Sequence, residues 1–65
     1  MFDEIYHDTL RDMNPGLYDA VKQLVELGQS PRTIANRVEK QAGRDSVLPG
    51  LVEGAAKTIK AQEAS

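Results

Sequence analysis

His7 is the single histidine of the 65 residues, and it falls one helical turn from Asp3 and one turn from Arg11. Residues four apart on a helix share a face, so Asp3 and His7 together offer two ligands to a metal ion. Two ligands fill neither a tetrahedral nor an octahedral shell, and with no cysteine there is no thiolate to complete one. Ser30 and Ser46 are placed to cap helices, and Ser65 ends the sequence. None of them sits in a nucleophile elbow, and no glycine loop of the phosphate-cradling kind is present. His7 is accordingly expected as an exposed helix histidine. The chain is expected to be no enzyme, with no metal and no cofactor.

Two other groups of residues bear on recognition. Thr33, Arg37, Lys40 and Arg44 fall in one narrow sector of a helical wheel, nearly opposite Ile34, Ala35, Val38 and Ala42, and Arg32 lies near them. Such a basic stripe contacts phosphates or an acidic protein surface; its plainer role is a solvated outer face. Gly50 and Gly54 stand one turn apart, with Thr58 and Ala61 further along the same side. A glycine inside a helix costs about 1 kcal/mol relative to alanine. Small residues at this spacing let another backbone come close. On the wheel they lie opposite Leu48, Val52, Ala55 and Ile59, which makes them a candidate contact surface for a second copy or another protein. Tyr18, at the edge of an apolar stripe, is a further contact candidate.

The elements that must position these residues are all helical, because every apolar pattern has the helical period and none alternates long enough for a strand. Four helices are predicted, over residues 3–13, 15–27, 31–42 and 47–62. In the first, Phe2, Ile5, Tyr6, Leu10 and Met13 form the inward face. Asn14-Pro15 and Ser30-Pro31 each place an N-cap before a proline at the first helical position. Gly28 and Gly43 are placed to close the helices before them. Asp45 or Ser46 opens the fourth helix, Pro49 falls in its first turn, and the end from Gln62 is expected to fray. The fold class is all-α, a compact bundle of four short helices joined by tight turns, in one domain over 1–65.

The segment Leu24–Val38 resembles the front of a resolvase-type helix-turn-helix, in which a glycine ends one helix and a capped helix then carries an Ile-Ala pair, here Ile34-Ala35. The resemblance implies DNA binding. The sequence departs from that pattern after Val38, where Glu39-Lys40-Gln41-Ala42 prolong the helix and Leu48-Pro49-Gly50 open the next. Those side chains read base edges poorly. The same stretch is similar to the first two helices of a UBA-type module, with Leu27-Gly28-Gln29 in place of the Met-Gly-Phe loop that grips ubiquitin. Gln29 replaces the aromatic anchor.

Composition bounds the rest. A chain of this length buries only roughly 60% of its unfolded surface, and with no cysteine it has no disulfide to make up the difference. The net charge of -2 hides an uneven spread: up to residue 20 there are five acids against Arg11, and beyond it seven bases against five acids. No apolar run approaches a membrane span, and the sequence reads as a soluble cytoplasmic protein that is a complete small product starting at Met1. The function expected is a small non-enzymatic protein-interaction module, an adaptor, inhibitor or regulator that associates with itself as a homodimer or with another protein. The alternative is a helix-turn-helix-like DNA-binding regulator using Arg32, Arg37, Lys40 and Arg44.

Overall fold

Proline and capping chemistry cut the chain where the sequence indicates. The computed structural model describes residues 2–43 and 45–64. Its helices are α1 (Phe2–Met13), α2 (Pro15–Glu26), α3 (Pro31–Ala42) and α4 (Leu48–Ala64), with no strand among the described residues. Asn14 alone separates α1 from α2. The proline after it disfavours helical backbone at Asn14, which adopts φ -147°, ψ 77° while its Oδ1 accepts from Leu17 N–H at 3.1 Å. Ser30 repeats the device before Pro31, its Oγ accepting from Thr33 N–H at 3.2 Å.

Gly28 ends α2 with φ 91°, a left-handed conformation that suits glycine. Its N–H donates to Val25 O and that of Gln29 to Leu24 O, the paired bonds of a Schellman closure. Before α4, Ser46 Oγ accepts from Leu48 N–H at 3.1 Å. That helix runs to Ala64 instead of ending at Gln62.

The bundle is built around α4. It packs against all three other helices, most extensively against α1 and α3, whereas α2 and α3 barely touch. Leu51, Val52, Gly54, Ala55, Ala56 and Ile59 of α4 are all buried. At 3.6 residues per turn these positions cover more than half of the helix circumference. Leu10, Val21, Val25 and Ile34 from the other helices complete the core, with Leu17, Leu24, Val38 and Leu48 packed on its edge. The radius of gyration of 10.5 Å matches the roughly 11 Å expected for a folded domain of this size.

Two inward faces differ from expectation. In α1 the buried side chains are His7 and Leu10, while Ile5 and Met13 are turned out to solvent. In α3 the inner face ends at Val38, and Ala42 is exposed. The first difference has a clear cause. Gly54 presents no side chain to α1, so Tyr6 lies directly against it, and the helix settles with Leu10 beneath.

Candidate functional site

His7 is 5% exposed, not a surface histidine. Its burial is stabilised by hydrogen bonds at both ring nitrogens: Nδ1 lies 3.0 Å from Asp8 Oδ1, and Nε2 lies 2.8 Å from the Tyr18 hydroxyl. A carboxylate only accepts, so Nδ1 carries the proton and, in the neutral ring, Nε2 accepts from Tyr18 O–H. The two rings meet edge to face, with centroids 5.1 Å apart. Carboxylate, imidazole and hydroxyl are thus in the order that activates a nucleophile. Here the same chain of bonds ties α1 to α2. Tyr18 is half-buried and its hydroxyl is taken up within the fold. Among the described residues no group of three or more His, Cys, Asp or Glu is placed to hold a metal ion.

The glycine stripe is split by the packing. Gly54 is buried, and a Cβ placed on it would lie 2.6 Å from Tyr6 Cδ2 and 2.7 Å from Tyr6 Cβ. The small residue does admit a close neighbour, but that neighbour is α1 of the same chain. An outward contact at Gly54 is therefore corrected. The buried arc of α4 is wide enough to take in Gly54, while Gly50, Lys57 and Ala61, opposite Val52 and Ile59, stay on the exposed side. Thr58 is half-buried and donates from Oγ1 to Gly54 O at 3.0 Å. Gly50 and Ala61 are exposed.

What does face solvent along this edge is the α1–α4 seam. Tyr6, Ser46, Val47, Gly50 and Leu51 line a shallow open groove of about 310 Å³. Val47 is 72% exposed, and on α1 Ile5 and Met13 are 59% and 67% exposed. Ile5, Thr9 and Met13 follow at i, i+4, i+8, so they form one row along the helix. The neighbouring row is Glu4, Asp8 and Asp12, all exposed. Residue type alone points the apolar members of the row inward. Their position immediately beside an all-acidic row of the same spacing marks an outer face.

On the far side of the fold the basic stripe lies as the wheel places it. Arg32, Thr33, Arg37 and Lys40 are exposed, and none of the three cations has an ion-pair partner among the described residues. Arg44 lies outside the described residues, as does the side chain of Phe2.

No family model, curated protein or solved structure matches the chain. The two local resemblances at Leu24–Val38 extend to no such match. No helix among the described residues is long and apolar enough to cross a membrane.

Proposed function

We propose that this domain is a non-enzymatic protein-interaction module, an adaptor or inhibitor whose contact surface is the α1–α4 seam. The observation that carries the reading is the exposure of Ile5 and Met13 along α1 together with that of Val47, which shares a groove with Tyr6. A large apolar side chain left in water forgoes about 1.5–3 kcal/mol of burial. Several of them side by side, rimmed by charge, mark a contact surface. Gly50 belongs to this surface, where it lines the groove beside Tyr6 and Val47. The test is an NMR titration with three 18-residue amphipathic helices that share one leucine face and carry Lys, Gln or Glu on the other. Shifts at Ile5, Met13 and Val47 with at least one peptide are expected. No shift at those residues with any of the three overturns the reading.

A second reading, a small DNA-binding regulator, is favoured by Arg32, Arg37 and Lys40, exposed on one face of α3 and without an ion-pair partner among the described residues. It requires duplex DNA to bind at low salt and to be released steeply as salt rises. Absence of binding at low salt removes it.

A further inference from the structure

We infer that the seam selects a basic amphipathic helix supplied by another protein. This rests on the seam being the contact surface, and it adds what the partner must look like. The apolar row Ile5–Met13 and the acidic row Glu4–Asp12 run in parallel, each roughly 12 Å long at 1.5 Å per residue. That length accommodates two turns of a docked helix, enough for anchors at i, i+3 or i+4 and i+7. The groove at Tyr6, Val47 and Gly50 continues the apolar track onto α4. Among the described residues, Asp8 is engaged by Arg11 at 3.4 Å and by the His7 ring at 3.0 Å, and no ion pair is formed by Glu4 or Asp12. A helix lying on the track therefore keeps its polar edge against carboxylates, which favours Lys or Arg there and disfavours Asp or Glu.

A second copy of this chain fits less well. Setting one seam on another brings two acidic rows into one interface, and like charges across an interface disfavour it. The chain's own basic helix face, Arg32, Arg37 and Lys40 on α3, is interspersed with exposed Asn36 and Gln41 and supplies no apolar anchor. One candidate face has the anchors with the wrong charge, and the other has the charge without the anchors.

The three peptides described above, each fluorescently labelled, separate the alternatives by anisotropy with the intact domain at about 0.15 M salt, where weakly placed surface charges are screened. The Lys peptide is expected to bind at least tenfold more tightly than the Gln peptide, and the Glu peptide more weakly than both. The Glu4→Gln/Asp12→Asn variant, which leaves the Asp8 contact to His7 intact, is expected to erase the preference for Lys while retaining the Gln peptide. Ile5→Ser/Met13→Ser is expected to weaken all three; circular dichroism confirms that both variants fold. Equal affinity for the Lys and Gln peptides, or a preference untouched by Glu4→Gln/Asp12→Asn, overturns the charge selection and leaves the contact surface standing. Failure of every peptide overturns both. A dimer in sedimentation that Ile5→Ser/Met13→Ser converts to monomer replaces the partner helix with a second copy.

Discussion

Tyr18 supplies the proton that satisfies His7 Nε2 in a place closed to solvent. Replacing it with phenylalanine leaves a buried acceptor unpaired. Tyr18→Phe is expected to lower stability by about 1–2 kcal/mol in urea denaturation. The double variant His7→Phe/Tyr18→Phe is expected to lose less than the sum of the single changes, because both polar partners then disappear together. A second residue-scale contrast lies between two glycines of one helix. An added methyl at Gly54 meets the Cβ of Tyr6, an atom fixed to the α1 backbone, so the helices must move apart. Overpacking of this kind costs about 1–3 kcal/mol, more than the ~1 kcal/mol of helix propensity that alanine contributes. At Gly50 nothing lies within 4 Å of the same methyl. Thermal melts should therefore fall for Gly54→Ala and rise for Gly50→Ala, each kcal/mol moving the midpoint by roughly 4–8 °C.

At the scale of the helices, what was legible was local and what was not was tertiary. Asn14-Pro15, Ser30-Pro31, Gly28 and Gly43 act through bonds to residues a few positions away, so the boundaries of α2 and α3 could be read from neighbours alone. Ser30→Ala tests one of them: losing the acceptor for Thr33 N–H is expected to cost about 1 kcal/mol and to speed hydrogen exchange at that amide. The rotation of α1 could not be read in the same way. Counted by type, Ile5, Tyr6 and Met13 outweigh Leu10, and they point to the wrong side. The rotation is decided by Gly54, far along the chain, which admits Tyr6 and so brings His7 and Leu10 inward. The wheel of α4 misled for a related reason. It assumes a narrow buried side, whereas three neighbours widen the buried arc of α4 far enough to take in Gly54, leaving Gly50 and Ala61 outside it. The α3 stripe was legible because α3 packs on one side only, and polar residues on its other side have nowhere to go but solvent.

The whole molecule concentrates its stability in few side chains. Among the described residues only Leu10, Ile34, Val21 and Val52 are large and fully buried, and three more of the core residues are alanines. A core of this size rarely supplies more than about 3–5 kcal/mol, and truncating a buried isoleucine to alanine costs about 2–5 kcal/mol. Ile34→Ala is thus expected to leave a chain that is substantially unfolded at room temperature, with no urea baseline for the native state in circular dichroism. The placement of the central helix has a consequence for how the protein comes into being. Translation delivers α1, α2 and α3 before the helix on which all three rest. Until Leu48–Ala64 has been made, the earlier segments have only a histidine–tyrosine link and a few edge contacts between them, and a peptide of residues 1–47 is expected to be largely unstructured in circular dichroism. The first three helices therefore stay loosely held during synthesis and fold together only once Leu48–Ala64 has been added.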